Sequence, residues 1–129
     1  MEKECLDFLL RGTQPVSICP ARYPKRAGLP RHWQAAIDNG QVLILSSFGP
    51  LCKRTSRQAS FTRNLLVASL SKAILVPHAS SGGMAERVVE QCLAEHIDVL
   101  TFQDDANAQI LQRGAVIYSS DDVRRLFTA

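Results

Sequence analysis

Ala79-Ser80-Ser81-Gly82-Gly83 is the segment whose residue types most readily suggest chemistry. All five of its side chains are absent or small, and the backbone N–H groups at the two glycines are unhindered, so Ser81, Gly82 and Gly83 could receive an anion. A helix starting just after them would add partial positive charge at the same place. A phosphate could sit there without a lysine, although such a turn also serves as a plain helix entry. Glu86 falls in the first turn of that helix, where a carboxylate stabilises the helix dipole or, alternatively, faces a ribose or works as a general acid/base. Upstream, Arg63-Asn64 could hydrogen-bond phosphates or a base edge, and Phe61 could stack on a base or simply fill the core. Two basic stretches, Arg22, Lys25, Arg26, Arg31 and Lys53, Arg54, Arg57, Arg63, offer cations for an anionic partner or an ordinary solvated surface.

Other reactive side chains form no recognisable group. His32, His78 and His96 are scattered, and only His78 falls at an expected strand end. Cys5, Cys19, Cys52 and Cys92 make no C-x-x-C pair and lie at no zinc-ligand spacing from a histidine, so neither a metal nor another cofactor is expected. Cys5, Cys19 and Cys92 fall on apolar faces and are expected as buried thiols.

The elements needed to position these residues follow from apolar spacing. Helices are expected over 2–10, from Pro30 to Asn39, over 58–70, 84–95 and 107–113, and from Ser120 or Asp121 to near Phe127. Strands are expected over 15–19, 42–45, 73–76, 99–102 and 115–118. Residues 61–86 thus hold a strand framed by two helices. The runs Val42-Leu43-Ile44-Leu45 and Ala73-Ile74-Leu75-Val76 are continuous and apolar, as in strands covered on both faces. Alternation of this kind implies an α/β fold, a Rossmann-like three-layer sandwich with a mostly parallel sheet of about five strands. Right-handed crossovers would bring every strand-to-helix loop to the carboxyl edge, where ligands bind. The 129 residues, 46% hydrophobic and 21% charged, suit one ordered domain over 1–129. The net charge is +3, and no apolar run approaches the roughly 20 residues of a membrane span. The start, Met1-Glu2-Lys3-Glu4, lacks a signal-peptide core, so a cytoplasmic protein with no membrane partner is expected.

Phe61-Thr62-Arg63-Asn64-Leu65-Leu66-Val67-Ala68-Ser69-Leu70-Ser71, followed by Ala73-Ile74-Leu75-Val76, resembles the DprA/Smf family of bacterial DNA-processing proteins. Ser81-Gly82 matches that family's Ser-Gly loop, and Asn107, Ile110, Leu111, Gly114 and Ala115 match its Asn-x-x-Leu-Ile-x-x-Gly-Ala signature. The resemblance covers residues 15–129. It implies a Rossmann-like domain that binds single-stranded DNA, in transformation or recombination, and no established enzymatic activity. Under it Phe61, Arg63, Asn64, Arg57 and Arg54 are the nucleic-acid contacts, and Ser81, Gly82 and Gly83 hold a phosphate.

The sequence departs from the family in lacking the Gly-Ser-Arg strand end and the second βα unit. Loss of those units would leave a gap between the strands at Val16 and Val42. Either the strands close up, or a homodimer completes the sheet. Gly82-Gly83-Met84-Ala85-Glu86 is also similar to the Pro-Gly-Gly-x-Gly-Thr-x-Glu loop of lysine-decarboxylase-like phosphoribohydrolases. That likeness implies a nucleotide-binding enzyme using Glu86 as an alternative, although the Gly-Thr pair is missing. A domain that keeps the fold and has lost its ligand is the third expectation.

Overall fold

Short apolar runs separated by amphipathic segments fold here into strands that pair in parallel, each joined to the next by a helix. The computed structural model describes residues 2–121 and 124. Two compact units divide the chain, Met1–Arg63 and Asn64–Ala129. Every strand pairing is parallel, so the α/β class stands as the sequence implied. The five strands are distributed over a two-stranded and a three-stranded sheet.

In the first unit α1 (Glu2–Leu9) leads to β1 (Val16–Ile18), α2 (Arg31–Asp38) and β2 (Val42–Ile44), and α3 (Arg57–Ser69) contains the boundary between units. β1 and β2 pair directly, Val16 opposite Val42 and Ile18 opposite Ile44. The strands at Val16 and Val42 are therefore adjacent, and no gap separates them. Pro30 precedes the first turn of α2, and its carbonyl accepts from the N–H of Trp33 at 3.0 Å. Gly40, with φ +80°, lets the chain turn out of α2 in the left-handed region. α2 buries Ala36 and packs on β2. Asp7 of α1 fastens this helix by accepting from Trp33 Nε1 at 2.8 Å and meeting His32 Nε2 at 2.9 Å.

Two expectations are corrected in this unit. Leu43 is 59% exposed and Leu45 is exposed too, so β2 is not covered on both faces. Side chains alternate along a strand, and α2 covers only the face that carries Val42. Cys5, expected on a buried face, is exposed. Leu6 beside it is buried, so the inward face of α1 passes through Leu6 and not through Cys5.

The second unit contains β3 (Ala73–Leu75), α4 (Met84–Ala94), β4 (Asp98–Thr101), a 3-10 turn (Asp105–Asn107), α5 (Ala108–Gln112) and β5 (Val116–Ile117). The sheet order is β3-β4-β5, with Ile74 opposite Val99 and Leu100 opposite Val116. β4 is central, and its Val99, Leu100 and Thr101 are all buried; α4, which buries Val88, Val89 and Cys92, packs on this strand, and α5, which buries Ile110, packs against α4. At the edges, Leu75 of β3 and both residues of β5 are exposed. The apolar run at residues 73–76 is thus only partly covered, because β3 is an edge strand of this sheet. The helix expected from Ser120 or Asp121 to near Phe127 lies largely outside the described residues. No helix among the described residues is long and apolar enough to cross a membrane.

Candidate nucleic-acid interface

Because β1 and β2 run parallel, the segments that follow them, residues 19–30 and 45–56, leave the same carboxyl edge of the two-stranded sheet. These segments carry Arg22, Lys25, Arg26, Lys53 and Arg54, with Arg31 and Arg57 just beyond their ends. Hydrogen bonds stitch them together. The N–H of Tyr23 donates to the Cys52 carbonyl at 2.8 Å, and Ser46 Oγ donates to the Arg22 carbonyl at 3.0 Å. Arg22, Lys25, Arg31, Lys53, Arg54 and Arg57 are all exposed there. Arg26 is diverted into an ion pair with Asp38.

Arg57 occupies the first position of α3, which Ser56 caps by accepting from the N–H of Ala59 at 3.0 Å. No acidic residue stands in that first turn. A cation at a helix N-terminus adds to the positive end of the dipole, an arrangement that favours an anion close by. Arg54 and Lys53 lie just upstream. From residue 8 to residue 85 the sequence has ten basic residues and one acidic residue, Asp38. The first unit has ten basic against four acidic residues, net +6, and the second has five against eight, net −3.

Arg63 does a different job from Arg54 and Arg57. Its Nη1 donates to the Cys19 carbonyl at 3.1 Å and so ties α3 to the end of β1. Burial pushes the Cys19 thiol above its ordinary pKa, and the Arg63 charge pulls it part of the way back. Phe61 is half-buried on the same helix. Asn64, also half-buried, is the first residue of the second unit.

Ser81, Gly82 and Gly83 lie in the turn between β3 and α4. Gly82 has φ +70°, and a Cβ at Gly83 would come within 2.8 Å of the Ser80 carbonyl oxygen, so both positions suit glycine. The Gly83 N–H donates to that same oxygen at 3.0 Å. The Gly82 N–H donates to Glu86 Oε2 at 2.6 Å, and Arg113 Nη2 donates to Glu86 Oε1 at 3.2 Å. Glu86 is buried, and both its oxygens hold the turn and α5's C-terminal neighbour in place. Arg113 reaches Glu90 as well, at 2.6 Å. At the α4 entry Gly83 supplies no side-chain cap. His78 Nε2 meets Ser80 Oγ at 2.9 Å.

Asn107 fixes the shape of that loop from below. It is wholly buried. Its Oδ1 accepts from the Ala79 N–H at 2.9 Å, and its Nδ2 donates to the carbonyls of Pro77 and Phe102, each at 3.0 Å. One amide therefore locks the ends of β3 and β4 together, using three of its four bonding positions.

Tyr23 and Leu51 are features of the basic edge that loop composition alone does not single out. The available signal was an aromatic ring set among cations, Arg22-Tyr23-Pro24-Lys25-Arg26. Among the described residues no group of three or more His, Cys, Asp or Glu side chains could hold a metal ion. No protein family, curated protein or solved structure matches the chain.

Proposed function

We propose that this chain binds single-stranded nucleic acid, single-stranded DNA in the DprA-like reading, with its phosphates held along the carboxyl edge of the β1–β2 sheet. The observation that carries this is the joining of two cationic loops at Tyr23 and Cys52, which gathers Arg22, Lys25, Lys53, Arg54 and Arg57 on one edge. Like charges brought together repel unless a polyanion compensates them. The dipole of α3 reinforces the same sign. Binding of this kind follows the backbone and releases counterions, so its affinity must fall steeply with salt.

The test is fluorescence anisotropy of a labelled oligothymidylate across about 50 to 200 mM salt. The expected slope of log affinity against log salt is about −0.7 for each phosphate neutralised. Arg54→Ala combined with Arg57→Ala should flatten that slope by roughly 1.4. Failure of the wild-type chain to bind at low salt overturns the reading, as does an unchanged slope in the double variant.

A second reading places a nucleotide phosphate at Ser81, Gly82 and Gly83. It draws on the α4 entry, which has glycines and no side-chain cap. The buried Glu86 carboxylate in the same turn works against it, because that charge already faces the helix dipole. Thermal shift with nucleoside monophosphates separates the two readings, since a ligand of the native state raises the melting temperature by mass action. No shift with either ligand class would support a domain that has lost its ligand.

A further inference from the structure

We infer that Tyr23 and Leu51 are the base-contacting side chains of the basic edge, so that the site selects strands whose base faces are open. This deepens the reading above and rests on it. Both are large side chains that present surface to water among cations, Leu51 almost wholly and Tyr23 in part, on backbone tied by hydrogen bonds. Tyr23 is 38% exposed and lies between Arg22 and Lys25, with its N–H committed to the Cys52 carbonyl. Leu51 is 96% exposed, just before Lys53 and Arg54.

The backbone around Leu51 is a closed turn. The Cys52 N–H donates to the Gly49 carbonyl at 3.0 Å, which makes Gly49, Pro50, Leu51 and Cys52 a four-residue turn. Pro50 stands at its second position, where the fixed φ of proline favours the bend. Leu51 is therefore presented by a constrained turn, and burial in the unit does not recover its apolar surface. The bond from Tyr23 to Cys52 brings this turn beside the Tyr23 backbone.

The occupant has to satisfy apolar and cationic groups together. An apolar protein surface would desolvate Arg22, Lys25, Lys53 and Arg54 without pairing them. A single nucleic-acid strand meets both needs. Its phosphates pair with the cations, and its uncharged base faces lie on the tyrosine ring and against the leucine. In a duplex those faces are hidden in the stack, so the preference for single strands follows from the same two side chains.

The experiment uses the full chain and two oligonucleotides of equal phosphate number. One is oligothymidylate carrying a single 2-aminopurine, and the other is its fully abasic counterpart. Tyr23→Ala and Leu51→Ser should each weaken binding of the base-bearing strand about tenfold, with the salt slope unchanged. Tyr23→Phe should retain the affinity, and 2-aminopurine emission should change when the wild-type chain binds. The abasic strand should bind the wild type and the variants alike. Equal weakening on both strands, or none on the base-bearing one, overturns the inference. If Arg54→Ala with Arg57→Ala loses both strands while Tyr23→Ala loses neither, only the base-contacting role falls. If the wild type binds neither strand, the proposed function falls with it.

Discussion

The backbone N–H of Tyr23 donates to the carbonyl of Cys52 at 2.8 Å, joining residues 29 positions apart in sequence. Each loop alone has the cations of an ordinary surface. Joined, they place Arg22 and Arg54 on one edge. Arg22→Ala is therefore expected to reduce the salt slope of oligonucleotide binding by about as much as Arg54→Ala, roughly 0.7 each, and the two effects to add. Anisotropy titrations of the two single variants and the double variant check this. An effect confined to one loop would show that the strand follows that loop only.

Asn107 holds three backbone groups in a buried setting, at Pro77, Ala79 and Phe102. Asn107→Ala leaves a donor and two acceptors without this partner. The expected loss is about 2 to 4 kcal/mol of stability, since each stranded buried group costs on the order of 1 to 3 kcal/mol before relaxation. Urea denaturation followed by circular dichroism measures it. Asn107→Asp keeps the acceptor for Ala79 and loses both donors, so it is not a conservative rescue.

Glu86 is positioned to shape the turn at Gly82. Glu86→Gln keeps an acceptor for the Gly82 N–H but gives up the ion pair with Arg113, which is itself half-exposed. A cost of about 1 kcal/mol is expected. Glu86→Ala should cost more, about 2 kcal/mol or above, because the Gly82 N–H loses its acceptor. Neither variant should change oligonucleotide affinity, which anisotropy reads directly. Release of a free base from a nucleoside monophosphate by the wild type, abolished in Glu86→Gln, would instead assign the residue to catalysis.

The four thiols should separate by reactivity. Cys5 is exposed, whereas burial raises the Cys92 pKa, and the nearby Glu95 charge raises it further. Cys19 is raised by burial and partly offset by Arg63. Alkylation by iodoacetamide near neutral pH should label Cys5 first and Cys92 last, because the thiolate is the reacting species. The sign of the pH dependence follows. An acid whose folded pKa is raised keeps its proton longer in the native state than in the unfolded chain. Stability from this source is full below the unfolded thiol pKa and is lost as pH rises above it. Denaturation midpoints should fall between about pH 8 and pH 10.

The sequence by itself determined the order and kind of the elements. Apolar runs at residues 42–45, 73–76 and 99–102, each set between amphipathic stretches, dictated alternating strands and helices and hence parallel pairing. It also offered glycines where the chain takes positive φ, at Gly40 and Gly82, though not the positive φ of His96. What it did not contain was which strand pairs with which and what each side chain meets. Val16 opposite Val42 depends on a contact across α2 that no local pattern encodes. The exposure of Leu43 and Cys5 depends on which face another element covers. For Glu86 the sequence favoured a partner of the helix dipole over a ribose contact or a proton carrier, but only the tertiary structure brought Gly82 and Arg113 to its two oxygens. The basic edge followed the same logic. Its cations were visible in the sequence as two separate clusters, and only the tertiary hydrogen bonds from Tyr23 and Ser46 made them one surface.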